Sequence, residues 1–372
     1  MEISTFLSKK TNFNSIYRPV IYNFSKNEDA LGLKELMTTS PIQIFDTIQN
    51  QIAELIKIKH PGEKLSAGEM EEKIAEHLGT TPLDEYGVWV YYPWSQKLIH
   101  LVDEEEFVTI RTNRNIYKIS QEEQKLLRKK RIGIIGLSVG QSIAVTMATE
   151  RICGEMRLAD FDTIELSNLN RLAVGVHDLG APKVVVAARR IAEIDPFINI
   201  KCWLDGITET NIEEFLTQDG KIDVLAEECD SIQIKILSRI KAKELGIPVV
   251  MDTNDKGMLD IERFDLEKER GIFHGNIPEL ENFGFEALMN RLATLSAEEK
   301  FGILAKIIGF ENISNEMKLS LSEMNKTIIA WPQIASAVNL GGALVTDVCR
   351  RIVLGKITGS GRYFIDLNSL VQ

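Results

Sequence analysis

Cysteine is scarce: Cys153, Cys202, Cys229 and Cys349 are scattered over 372 residues, and no two form a CxxC pair. A zinc site built from paired cysteines and a disulfide framework are therefore not expected, which fits a reducing cytoplasm. No apolar run approaches the ~18 uninterrupted residues of a membrane-spanning helix. The opening residues MEISTFLSKK lack the apolar stretch of a secretion signal. Positive charge is in deficit as well, with 43 Lys and Arg against 54 Asp and Glu, a net charge of −11. A field of that sign disfavours general binding to nucleic acid or to an acidic membrane surface. Internal repeats and low-complexity tracts are missing too. What remains is an ordinary soluble composition, 44% hydrophobic, in a chain long enough for two domains.

Residues 1–110 are predicted to form a small α+β domain. Residues 1–40 carry too weak a pattern to assign. Apolar residues from Ile42 to His60 recur at helical spacing and predict a helix ended by Pro61-Gly62. A second helix is expected over Ser66–Leu78. Gly87–His100 reads as a hairpin around Pro93-Trp94-Ser95, and Phe107–Arg111 as a third strand. The role of this domain is not legible, and packing or dimerisation is the plain reading.

From 111 to 372 the pattern alternates. Ser120-Gln-Glu-Glu123 has capping-box spacing and opens a short helix. Strands at Ile132–Ile135, Met156–Ala159, Ile198–Leu204, Asp223–Ala226 and Pro248–Met251 are separated by helices at Gln141–Arg151, Lys183–Ile194, Ile212–Leu216 and Ile232–Leu245. This predicts an α/β, Rossmann-like, doubly wound and mostly parallel sheet. Residues 265–330 read as a partly helical insert, followed by a long helix, Ala335–Leu354, and a last strand, Arg362–Asp366.

Such sheets bind ligands at the carboxyl ends of their strands, where Gly136, Asp160 and Asp230 fall. Asp160 stands 24 positions after Gly136, near the ~20-residue offset of a carboxylate that grips ribose hydroxyls. The turn Gly136-Leu-Ser-Val-Gly140 departs from GxGxxG. Ser138 holds the second glycine position, Gln141 the third, and Gly140 is out of register. Its free backbone N–H groups still suit an anion. Asn168 and Arg171 share one face of a helical turn, and an arginine fork suits phosphate. Lys183 opens a helix, an unfavourable place for a cation unless an anion is present. One amide and two cations suit a triphosphate better than a nicotinamide. Asp230 is placed to hold Mg²⁺ beside bound phosphates, with Glu227 and Glu228 open to sharing that role.

The run D-x-D-x-x-x-x-S-N-L-x-R, present as Asp160, Asp162, Ser167, Asn168, Leu169 and Arg171, resembles the ThiF/MoeB and ubiquitin-activating enzyme superfamily. The resemblance covers roughly 111–366. It implies ATP and Mg²⁺ as cofactors and adenylation of a carboxylate with release of pyrophosphate. The substrate would be the C-terminus of a ubiquitin-like or sulfur-carrier protein, a peptide or a small molecule. By the same likeness Gly136, Ser138, Gly140, Asp160 and Asp162 line the nucleotide site. Asn168, Arg171 and Lys183 hold phosphates, and Asp230 holds the metal. Asn113-Arg114 is similar to an upstream Asn-Arg whose arginine reaches a partner's site, so Arg114 would act in trans in a cytoplasmic homodimer.

Departures narrow the reading. Leu172 and Ser231 replace a common glutamine and asparagine, and the superfamily's paired CxxC zinc motifs are missing. No cysteine lies between Cys229 and Cys349, the interval that holds the thioester nucleophile of carrier-loading members. Adenylation without thioester transfer is the expectation. The alternatives are activation of a modified tRNA base, a nucleotide-binding scaffold without catalysis, and an NAD-dependent oxidoreductase.

Overall fold

A computed structural model of the chain describes residues 15–281, 283 and 285–371. It divides into two compact units. One holds the described residues through Glu122 together with Asp195–Phe197, and the other holds Glu123–Ile194 and the described residues from Ile198 on. No helix among the described residues is long and apolar enough to cross a membrane.

The first unit contains strands β1 (Val20–Tyr22), β2 (Gln43–Asp46), β3 (Val88–Tyr92) and β4 (Lys97–Leu101), in the order β1-β3-β4-β2. Its helices are α1 (Asn27–Thr39), α2 (Ile48–Lys59), α3 (Ala67–Leu78) and α4 (Glu104–Thr112). Two expectations are corrected here. The helix read from Ile42 begins only at Ile48. Ile44 and Phe45 pair instead with Leu98 and Ile99, and Asp46 Oδ1 accepts the Ile48 N–H at 3.1 Å where the strand gives way to helix. Phe107–Arg111 is helical rather than extended. Asp103 caps α4 by accepting the Glu106 N–H at 2.9 Å, and Glu104, Glu105 and Glu106 complement the positive end of the helix. Ser66 and Glu69 form the capping box at the start of α3.

The second unit is a seven-stranded sheet in the order β11-β10-β9-β8-β5-β6-β7. Its strands are β5 (Arg131–Ile135), β6 (Glu155–Ala159), β7 (Asn199–Trp203), β8 (Val224–Glu227), β9 (Val249–Thr253), β10 (Met258–Glu262) and β11 (Gly361–Phe364). The five strands from β9 to β7 run parallel. Only β10 opposes its neighbours. It is absent from the strands predicted above because its alternation, MLDIE, is short and carries two acids. The helices are α5 (Gln121–Leu127), α6 (Gly140–Glu150), α7 (Lys183–Ile194), α8 (Ile212–Thr217), α9 (Ile232–Leu245), α10 (Pro278–Glu281), α11 (Phe285–Ala293), α12 (Ala297–Ile308), α13 (Asn315–Glu323) and α14 (Ala335–Val353).

Every residue of β6 and β8 is buried, as strands covered on both faces must be. Ile135, Leu225 and Met251 pack against Phe215, Ile236 and Leu237 of α8 and α9, and Leu288, Met289 and Ile307 of the insert join the same cluster. Each such side chain contributes ~1.5–3 kcal/mol when fully buried. The same region holds a buried ionic chain, in which Arg239 donates to Glu227 at 2.5 Å and to Glu262 at 2.6 Å, and Lys235 donates to Glu227 at 3.2 Å. Removing one partner would leave an uncompensated charge in the core.

Counting from β5, the chain winds outward through β6 and β7, then returns to build β8 and β9 on the other side. The switch point therefore lies between β5 and β8, and their carboxyl ends open a crevice there. Gly136 sits at this point with φ +85°, and a Cβ on it would fall 2.8 Å from Glu228 C and O and from Cys229 N. Gly136→Ala is expected to cost ~1–3 kcal/mol of backbone strain or more, measured as a lower midpoint in chemical denaturation.

Candidate functional site

The turn after β5 is held from the neighbouring strand. Asp160, just past β6, accepts the Leu137 N–H on Oδ2 at 2.6 Å and the Asp162 N–H on Oδ1 at 2.8 Å. Asp160 is 8% exposed. Burial raises its carboxyl pKa, and the two backbone N–H groups work against that rise. The carboxylate read as a ribose ligand therefore also fixes the glycine turn after β5.

Beyond Asp162 the chain makes a 3₁₀ turn, Leu166–Asn170. Asn168 is buried there, and its Oδ1 accepts the Glu165 N–H at 3.0 Å. Arg171 leaves the turn pointing back across the crevice. Its Nε and Nη2 donate to Ser138 Oγ at 3.2 and 3.0 Å, and its Nη1 donates to Asn170 Oδ1 at 2.9 Å. Burial lowers the pKa of this guanidinium, while the charge of Asp230 supports it. Lys183, buried at the start of α7, donates to Asp162 Oδ2 at 2.8 Å. Asp162 is thus the anion that makes a lysine tolerable at a helix N-terminus.

These side chains meet in one cleft of about 850 Å³, lined by Gly136, Ser138, Asp160, Asp162, Asn168, Arg171, Lys183 and Asp230 among others. Small-molecule sites span ~300–1,000 Å³. Gly140 does not line it. That glycine opens α6, packed against Ile134. Arg114, exposed in the 3₁₀ turn Asn113–Asn115 of the first unit, is not among the lining residues either.

Two features of the cleft escaped the sequence. Phe161 is 74% exposed on its wall. An aromatic between two acids at a strand end, with no place in the core, was the signal available. The strap Thr327–Gln333 forms the opposite wall, and Asn170 Nδ2 donates to the Gln333 carbonyl at 2.7 Å. Nothing in local periodicity places that strap over the sheet.

Residues 111–254 match the ThiF family model. This segment is a ThiF-family domain. The chain is 37% identical over 347 residues to an uncharacterized protein of Mycobacterium tuberculosis, a match covering 93% of this chain and 45% of that relative. The chain therefore spans less than half the length of that relative. It is 22% identical over 249 residues to the tRNA threonylcarbamoyladenosine dehydratase of Bacillus subtilis, covering 66% of this chain and 97% of the relative. The crystal structure of selenomethionine PaaA aligns with a TM-score of 0.50 at 18% identity, over 86% of this chain and 96% of that one. That likeness is one of fold.

The acidic run after β8 of the ThiF-family domain separates into different environments. Glu227 is fully buried. Burial opposes its charge, but Lys235 and Arg239 outweigh that and hold its carboxyl below the ordinary range. It belongs to the core ion chain and is not free to share a metal. Burial, reinforced by the charge of Glu227, lifts the Cys229 thiol well above its usual pKa, which disfavours a reactive thiolate. Asp230 is exposed at the cleft. Among the described residues no group of three His, Cys, Asp or Glu side chains is arranged to hold a metal ion. A lone carboxylate fits a hard cation that arrives with phosphates and keeps its waters.

Glu228 faces Asp252 of β9, whose N–H donates to Glu228 Oε1 at 3.1 Å. Burial and then repulsion from Asp252 raise the Glu228 carboxyl well above its usual range, and burial pushes Asp252 up to about 7. A carboxyl with a raised pKa holds a proton in the fold that it lacks when unfolded. Its effect on stability therefore worsens as pH rises between about 4, its unfolded pKa, and about 7. Asp252→Asn removes that penalty. The variant is expected to melt higher than wild type at pH 8, with the advantage fading by pH 5, as read from thermal unfolding across that range.

Proposed function

We propose that this protein uses ATP to adenylate a substrate carboxylate, with release of pyrophosphate. The observation that carries this reading is the convergence of Ser138, Asp160, Asn168, Arg171, Lys183 and Asp230 on one cleft at the switch point of the sheet. The ThiF-family match over the same segment supports it.

In this reading the turn from Gly136 to Ser138 and the amide of Asn168 receive the phosphates. Asp160 takes the ribose with the lone pairs left free by its backbone bonds, and Phe161 offers a flat apolar surface to the base. A substrate carboxylate attacks the α-phosphorus in line and forms the acyl–O–P bond as the bond to the pyrophosphate oxygen breaks. A carboxylate is already a nucleophile, so no general base is required. Catalysis rests on positioning and on neutralising charge at phosphorus. Arg171 supplies that charge at the mouth of the turn. Lys183 supplies it after exchanging Asp162, whose side chain is half exposed and free to turn to water, for a phosphate oxygen. Asp230 would hold Mg²⁺, which adds Lewis acidity and charge at the phosphates.

The finer parts of the reading rest on the resemblance. The activated acid is a carrier-protein or peptide C-terminus, or a small molecule. The protein works in the cytoplasm as a homodimer, with Arg114 crossing to the partner's site. Ubiquitin-like modifier activation is one form of this chemistry. The high pKa of Cys229 favours the form that stops at the acyl-adenylate. A nucleotide-binding scaffold is the second reading, favoured by Lys183 already being paired with Asp162. Such a protein would bind ATP and exchange nothing.

Arg171→Ala and Asp230→Ala are each expected to lower ATP–pyrophosphate exchange by ~10²–10³ while leaving the circular dichroism spectrum unchanged. Full exchange in either variant would remove the role assigned to that residue.

A further inference from the structure

A second cavity, of about 150 Å³, adjoins the nucleotide cleft. The two share Glu228, Cys229, Asp230, Trp331, Pro332 and Gln333 as walls. Its far wall is apolar, with Phe301, Leu304 and Ile308 from α12 and Met317 and Leu321 from α13. A dry cavity of ~150 Å³ holds a group the size of benzene. The side towards β8 and β9 is polar, with Lys235, Asp252, Asn254 and Asp255 among its residues, and one of these stands out. Asp252 is 6% exposed, and neither of its carboxylate oxygens has a hydrogen-bond partner. A buried acceptor without a donor is costly, and nothing in the core ion chain reaches it.

The backbone holds Asp252 in that state. Gly341 of α14 lies so close that a Cβ there would fall 2.0 Å from Asp252 Oδ2. Next to it, the Glu228 carboxyl accepts the Asp252 backbone N–H and makes no hydrogen bond to the Asp252 side-chain oxygens. The cavity thus presents three features in a fixed order: a phosphate-facing end at Asp230, an unmet hydrogen-bond acceptor one strand away, and an apolar chamber of side-chain size.

Resting on the adenylation reading, we propose that this cavity selects the acid to be activated, and that the acid is an α-amino-acid unit with an apolar side chain. Its carboxylate faces the nucleotide, its N–H donates to Asp252, and its side chain fills the chamber under Leu304 and Trp331. The unit is either a free amino acid or the last residue of a peptide, both of which carry an N–H one bond from the α-carbon. Asp252 is a positioning and specificity residue and takes no part in the transfer at phosphorus.

The test is calorimetric titration of the full chain, saturated with α,β-methylene-ATP, with leucine, N-acetylleucine and 4-methylpentanoate. Leucine or N-acetylleucine is expected to bind at least about tenfold more tightly than 4-methylpentanoate, the loss that follows from one unmet charge-assisted hydrogen bond. Preference for leucine marks a free amino acid, and preference for N-acetylleucine marks a chain end. Asp252→Val, which removes the acceptor, should erase the preference for the N–H, and Leu304→Trp should abolish binding of all three, with analogue affinity unchanged in both. The proposal is overturned if no acid binds, if 4-methylpentanoate binds as well as the other two, or if Asp252→Val keeps the preference. Affinity for the analogue alone is measured first. Its absence would sink the adenylation reading separately, since the acid titrations are then repeated without nucleotide.

Discussion

The two hydrogen bonds to Asp160 organise the ligand end of this molecule. Its oxygens clasp the Leu137 and Asp162 N–H groups, so the turn after β5 and the loop after β6 are fixed by one side chain. That grip works only because Gly136 can hold φ +85° with the chain of Glu228 and Cys229 passing within van der Waals distance. From this crossing the rest follows. Arg171 finds Ser138, the 3₁₀ turn lies over the rim, and Asp230 emerges where the guanidinium feels its charge.

Charge in the second unit is sorted by depth. Deep under the sheet, Glu227, Lys235, Arg239 and Glu262 neutralise one another. This leaves no net charge to disturb the rim. At intermediate depth Glu228 and Asp252 repel each other, and Asp252 lacks any donor. At the surface Asp162 neutralises Lys183 and Asp230 faces Arg171. Positive groups at the rim are thus matched by acids that can move away, whereas the acids behind them cannot. A polyanionic ligand can replace mobile partners. Only a donor that enters the cavity can satisfy a fixed one.

Much of the sheet was legible because parallel strands covered on both faces must be continuously apolar. Lys183–Ile194 and Ile232–Leu245 match their predicted bounds to the residue because each is an apolar-faced helix, the first opened after Pro182 and the second closed by Gly246. The failures were local contests. At Ile42–Asp46 strand pairing defeated an apparent helical period, and at Glu104–Thr112 a capping aspartate and three acids defeated an apparent strand. Strand β10 went unseen because its acids, Asp260 and Glu262, are buried by partners distant in the chain: His274, Arg362 and Arg239.

The sequence by itself determined the alternation of strands and helices, and with it the rim on which Gly136, Asp160 and Asp230 stand. Periodicity and strand ends are local properties, so one dimension suffices for them. Tertiary structure alone decided which acids are spent and which are open. Glu227 and Asp230 are three residues apart, yet one is locked in an ion chain and the other meets solvent. The same holds for the strap at Thr327–Gln333 and for Gly341 pressing on Asp252, contacts between segments roughly 90 to 200 residues apart in the chain. Burial and partnership depend on what packs on a residue in space, and no local pattern records that.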